Sequence, residues 1–185
     1  MREVYIIRHG ESEANVSEFL DISPNNYIFD AELTKKGREQ ARKTSEKLND
    51  IEFNSVICSP LSRALQTYEI IFSKRNLKLY INPLMREHVV HSCDIGKQPK
   101  ELQFKFPNID FGNLEKYWWN NGIKTQENKI IFEKINDLNL RIKKFKKLIG
   151  NLKEKRVAVI GHGTFFSKII DYYLNNCEYE ILKFI

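Results

Sequence analysis

The sequence predicts an α/β fold: a three-layer domain with a mostly parallel central sheet and helices on both faces. Three observations predict it. Short apolar runs such as VYII and VAVI alternate along the chain with longer stretches of helical periodicity. Those runs are unbroken by polar residues, as suits strands covered on both sides. No Pro/Gly/Ser-rich stretch divides the 185 residues, so residues 1–185 are expected to form one domain with a substantial core.

The first strand, Val4 to Ile7, runs directly into RHGE at 8–11. After a polar loop comes LTKKGREQARKTSEKLN, where Thr34 can cap a helix with Gly37, Ala41, Thr44 and Leu48 on one narrow face. SVIC at 55–58 reads as a second strand. It leads into SPLSRALQTYEIIF, a helix with Ser59 as predicted N-cap, Pro60 at its first position, and Leu61, Ala64, Leu65, Tyr68 and Phe72 as its buried stripe.

LKLYI at 77–81 is the third strand. Periodicity then fails from about 83 to 128, a length more typical of a functional lid or wall than of a passive connection. Trp118 and Trp119 within it are expected to pack the segment onto the domain. Helical order returns with Ile131, Ile135, Leu138, Ile142, Phe145 and Ile149. Finally RVAVIGHG is a strand entering a tight turn, and TFFSKIIDYYLN a helix capped by Thr164.

The formal charge of +6 invites an anionic partner, but Lys, Asn and Ile supply 60 of the 185 residues, a compositional bias that weakens lysine as a nucleic-acid signal. The densest cluster, Lys143, Lys144, Lys146 and Lys147, falls on the solvated face of a helix. No nucleic-acid partner is expected. The three cysteines, Cys58, Cys93 and Cys177, are widely spaced and lack a CxxC pattern, which suits a reducing compartment. The early first strand leaves no room for a signal peptide, and no apolar run approaches membrane-spanning length. A cytoplasmic protein without membrane contact is the expectation.

In layered α/β folds the ligand site lies beyond the carboxyl ends of the strands, so the turns RHGES, CSPLSRA and IGHGT should converge. They would gather Arg8, His9, Arg63 and His162. Two guanidiniums and two imidazoles repel one another unless a multiply charged anion lies between them, and a phosphoryl group is the natural candidate. Arg63, in the first turn of a helix, is disfavoured there by the macrodipole, so helix stability does not explain it. Gly10 and Gly163 follow the two histidines and can let the backbone approach a ligand closely.

With these residues assembled, IIRHGESEAN at 6–15 resembles the active-site signature of the histidine phosphatase superfamily, the cofactor-dependent phosphoglycerate mutases and related phosphatases. SPLSRALQT and GHG resemble that family's second and last motifs, in its order, and LTKKGREQA resembles its first long helix. The resemblance implies a phosphoglycerate mutase-like fold. It implies that His9 is the nucleophile forming a phosphohistidine, and that Arg8, Arg63 and His162 hold the phosphoryl oxygens. Asn15 and Gly163 would bind the phosphate. Glu87, in PLMREHVV, resembles the family's proton donor, with Glu11 as the alternative beside the nucleophile.

Arg86, His88 and Lys97 could meet a second phosphate or carboxylate on the substrate. A metal site at His88, His91 and Cys93 is the competing reading of EHVVHSC, but the spacing fits no common zinc pattern and the family needs no metal. The resemblance implies no cofactor, save 2,3-bisphosphoglycerate for a mutase, and relatives are commonly homodimers. Classical mutases have an ERHYG stretch, a following insertion with paired arginines and a longer C-terminal tail; this chain has REHVV, no Arg-Arg pair and an end soon after its last helix. The expectation is a phosphatase acting on a small phosphorylated metabolite. A phosphoglycerate mutase and a non-catalytic phosphate-recognising module are the alternatives.

Overall fold

In a computed structural model, which describes residues 1–124 and 130–184, five strands form one sheet. They are β1 (Arg2–Arg8), β2 (Ser55–Cys58), β3 (Lys78–Ile81), β4 (Arg156–Gly161) and β5 (Tyr179–Phe184), in the order β3-β2-β4-β1-β5. β1 with β4, β4 with β2, and β2 with β3 are parallel; β5 runs antiparallel beside β1. Among the described residues no helix is long and apolar enough to cross a membrane.

Strand alternation creates two cores. Val4, Ile6, Ile57, Val157 and Val159 face one side, while Tyr5, Ile7, Val56, Cys58, Ala158 and Ile160 face the other. The chain makes a short helix α1 (Glu13–Val16), then α2 (Lys35–Lys47) and α3 (Ser62–Phe72), which cover the second side through Ala41, Ala64, Leu65 and Phe72. After α4 (Pro99–Lys105), helices α5 (Ile135–Gly150) and α6 (Gly163–Ile170) cover the first side through Leu138, Ile142, Phe145, Phe165 and Phe166. The predicted three layers are therefore present, and every parallel strand ends at the same edge of the sheet.

Several local expectations need correction. The hydroxyl of Thr34 caps α2 as expected, accepting from the Gly37 amide at 3.0 Å. α3, however, begins at Ser62 rather than at Pro60, because a distant carboxylate caps it: Asp30 accepts from the Ser62 amide at 2.8 Å and the Ser62 hydroxyl at 2.6 Å. Thr164 does not cap α6, whose N-cap is His162, and the helix stops at Ile170 because Asp171 turns left-handed at φ 66°. α5 starts at Ile135, so Ile131 precedes it, and Ile135 is itself exposed.

β5 went unpredicted, since Glu178, Glu180 and Lys183 break the apolar run that marks a strand buried on both faces; an antiparallel edge strand tolerates them. Within the stretch expected to be irregular, α4 forms a helix and much of the rest is ordered by burial; its residues 125–128 lie outside the described residues. Trp118 and Trp119 are buried against each other at 5.5 Å, with Trp118 Nε1 donating to the Lys97 carbonyl, so they pack the segment down as expected.

Candidate active site

The carboxyl ends of β1, β2 and β4, with the segment after β3, enclose a cavity of about 380 Å³. Arg8, His9, Asn15, Arg63, Glu87, His88 and Gly163 line it, together with Ser12, Asp94 and Tyr173. His162 is brought beside His9, the ring centroids 5.0 Å apart, but is fully buried behind the cavity wall. Four separate turns thus converge as the strand ends require.

His9 is held as a neutral imidazole. Burial, reinforced by the Arg63 guanidinium, pushes its pKa well below the ordinary 6.5. Its Nδ1–H donates to the Gly10 carbonyl at 2.7 Å, which leaves the lone pair on Nε2. Arg63 Nε donates to that nitrogen at 3.3 Å, a long bond that must give way before the lone pair can attack. The strand supports this ring through backbone bonds on both sides: the His9 amide donates to the Gly161 carbonyl, and the Cys177 amide to the carbonyls of Arg8 and His9.

Two polar atoms beside His9 are buried without a partner, Arg8 Nε and His162 Nδ1. Such atoms are costly unless something occupies the space they face. Burial, with the repulsion of Arg63 added, pulls the Arg8 pKa down despite the attraction of Glu87. Burial and the neighbouring Arg63, His9 and Arg8 likewise keep His162 neutral, its pKa well below 6.5. Its Nε2 lies 2.8 Å from the Ser59 hydroxyl; with that hydroxyl donating, the orphaned Nδ1 carries the proton. Ser59, expected to cap a helix, orients this histidine instead.

Glu87 occupies the end of α6. Its Oε1 accepts from the amides of His88 and Phe165, its Oε2 from that of Thr164, all at 2.9 to 3.0 Å. These amides favour the anion, yet burial and the facing Asp94 carboxylate outweigh them and raise the Glu87 pKa above 4.5. With Oε1 fully engaged, a proton would reside on Oε2. Glu11 is the opposite case: its carboxylate bonds Lys36 Nζ at 2.7 Å and the Thr34 hydroxyl, which lower its pKa, and it does not line the cavity.

Arg63 and Asp94 form a pair with each side chain 3% exposed, Nη2 to Oδ1 at 2.9 Å, while Nη1 donates to the Cys93 carbonyl. Burial opposes the Arg63 charge, but Asp94 and further acidic neighbours carry its pKa up. Asp94 also accepts from the Val90 and His91 amides, so it is fixed from several directions. Asn15 points its Oδ1 at the Ser12 amide and the Asn176 amine, which leaves its own amine to offer a ligand. A Cβ at Gly163 would come within 3.2 Å of the Arg8 guanidinium and press on it. Gly10 serves packing instead: a Cβ would sit 2.5 Å from the Gly37 carbonyl of α2.

Two expected substrate contacts are elsewhere. Arg86 is 3% exposed and faces away from the cavity, bonded to Glu133, Asn121 and the Trp119 carbonyl; burial and the nearby Arg141 push its pKa down to about 10. Lys97 lines a separate surface depression with Lys100 and Phe104. His88 lines the cavity, but its Nε2 is engaged with the Glu133 carbonyl at 2.9 Å, and His91 pairs with Asp21. Among the described residues no three His, Cys, Asp or Glu side chains are grouped to hold a metal ion. Burial pushes the Cys58 thiol far up and Cys93 to about 12, which leaves both protonated and unreactive.

The family model described as histidine phosphatase superfamily (branch 1) matches residues 4–184. The chain belongs to that superfamily. A phosphoglycerate mutase-like protein of Arabidopsis thaliana is 27% identical over 98% of this chain and 75% of its own length. The adenosylcobalamin/alpha-ribazole phosphatase of Escherichia coli K12 is 34% identical over 45% of this chain and 39% of its own. The crystal structure of the alpha-ribazole phosphatase from Shigella flexneri superposes with a TM-score of 0.67 at 20% identity, covering 98% of this chain and 90% of that one, a likeness of fold. Membership in a superfamily of phosphoryl-transfer enzymes agrees with a cavity that brings Arg8, Arg63 and His9 together.

Two of the site's side chains had no sequence signal of their own. Asp94 lies in an aperiodic stretch, though a buried Arg63 demands a countercharge from somewhere. Tyr173 was placed in the last helix, and reaches the cavity only because α6 ends early.

Proposed function

We propose that this superfamily member is a metal-independent phosphomonoester phosphatase that works through a phosphohistidine at His9. The observation that carries the reading is a neutral His9 with its lone pair on Nε2, lining the cavity beside the unpartnered buried Arg8 Nε, with His162 and its unpartnered Nδ1 directly behind that wall. An incoming phosphoryl group would give the orphaned Arg8 Nε a partner and meet two guanidiniums, so its charge is neutralised by the chain itself.

In the first step the Nε2 lone pair attacks phosphorus and the ester P–O bond breaks, while protonated Glu87 delivers its Oε2 proton to the departing alkoxide. In the second, water attacks the phosphorus, Glu87 Oε2 takes the proton back, and the P–N bond breaks to release phosphate and restore His9. The raised Glu87 pKa supports the first transfer, because water is a poor donor near neutrality.

Hydrolysis is favoured over mutase chemistry by the fate of Arg86: a mutase grips a bisphosphate through further cations, and the one adjacent to the acid is bound up with Glu133. The presence of nucleophile and acid together disfavours a mere binding module, which needs only the cations. Phosphorus NMR of the protein with 3-phosphoglycerate, a trace of 2,3-bisphosphoglycerate, a panel of other phosphomonoesters and excess chelator tests the reading. Inorganic phosphate without 2-phosphoglycerate is expected; 2-phosphoglycerate appearing first would establish the mutase.

A further inference from the structure

Not all of the cavity wall is polar. Leu20 and Val90 line it with apolar side chains, the Tyr173 ring reaches it near Gly163 and Arg8, and the same segment as Leu20 exposes Val16, Phe19 and Ile22, each more than half accessible. The segment is held in place: Asp21 adopts φ 62°, a conformation an aspartate takes at some cost, and its carboxylate accepts from the Ser92 amide and pairs with His91 at 3.0 Å.

Charge points the same way. Among the described residues the only lysine or arginine side chains lining the cavity are Arg8 and Arg63, both beside His9, and Arg63 is already matched by Asp94. The two other basic groups, His88 and His91, have partners. The acidic groups Glu87 and Asp94 also line the space. A second anion on the substrate would find no free cation and two carboxyl groups.

Resting on the phosphatase reading, we infer that the substrate is a phosphate monoester of an uncharged alcohol with an aromatic ring or an equivalent apolar face. Phosphorylated acids and bisphosphates are poor substrates. The volume of about 380 Å³ accommodates a phosphoryl group and one ring system, at the small end of ligand sites.

The test is kcat/KM for 4-carbamoylphenyl phosphate against 4-carboxyphenyl phosphate, nearly equal in shape and differing by one remote charge. The neutral ester is expected to be favoured by about tenfold or more, mainly through KM. In Leu20→Lys, which places a cation on the apolar wall, that ratio should collapse toward unity. Equal rates for the two esters in the unmodified protein, or preference for the carboxylate, would overturn the leaving-group inference while leaving the phosphatase intact. Hydrolysis of neither, with no phosphate found on His9, would overturn both.

Discussion

Asp94→Asn removes the charge that faces Arg63 while keeping the size of the side chain. Arg63 is 3% exposed, and the variant leaves its guanidinium with only neutral hydrogen-bond partners: the new amide oxygen, the Cys93 carbonyl and the His9 ring. Breaking a buried pair from one side costs about 3–5 kcal/mol, a large share of the roughly 5–15 kcal/mol that holds a domain folded. At about 2–4 °C per kcal/mol for a chain of this size, the midpoint of thermal unfolding should fall by about 6–20 °C. An anion in the cavity restores the missing countercharge, so orthovanadate should raise the variant's midpoint by more than it raises that of the unmodified protein. Loss of the Asp94 charge also lowers the pKa of Glu87, which shifts the high-pH limb of kcat toward acid. Asp94→Glu should recover part of each effect. Scanning calorimetry with and without vanadate, and a pH–rate profile, read these quantities. A midpoint within 2 °C of the unmodified protein together with an unmoved pH limb would refute the assignment of Asp94 as the group that positions Arg63.

Other outcomes follow from the same geometry. Glu87→Gln should slow turnover of alkyl phosphates by about 10²–10⁴-fold, and esters of more acidic phenols less at the bond-breaking step, as measured by burst kinetics; equal losses for both would point to another proton donor. Buried neutral His9 and His162 bind fewer protons than they do in the unfolded chain below pH 6.5, so stability falls as pH drops through 6.5 toward their depressed folded values. Each contributes up to about 1.4 kcal/mol per pH unit in that window, and His9→Gln should flatten the slope seen in urea unfolding. Glu87, with its raised pKa, acts in the opposite sense: its contribution is complete below 4.5 and is lost as pH rises through the folded value. Arg86→Met should lower the urea midpoint through the Glu133 network yet leave KM for aryl phosphates within about twofold, the reverse of what a substrate-binding arginine would show.

The parts of the molecule that were legible in the sequence are those encoded locally. VYII, SVIC and VAVI carry their own strand signals, and the turns that follow them bring Arg8, His9 and Arg63 to one cavity with His162 behind it, because parallel strands end at one edge. What escaped was set by distant partners. The starts of α3 and α6 are decided by Asp30 and Glu87, 32 and 77 residues away from the amides they accept, and no local reading of SPLS or GHGT contains them. Arg86 sits next to Glu87 in sequence but points the other way, drawn into the interior by Glu133 across 47 residues. β5 escaped for a different reason, since a half-exposed edge strand lacks the apolar continuity that identified its neighbours.

The central claim is that His9 accepts the phosphoryl group on Nε2. Rapid acid-free quenching during turnover of a ³²P-labelled aryl phosphate, followed by alkaline digestion and peptide mapping, tests it most directly. Label on the peptide containing His9, as alkali-stable, acid-labile phosphohistidine that is absent from His9→Ala, is the expected result. Turnover at a normal rate by His9→Ala, or label on any other residue, would contradict the account.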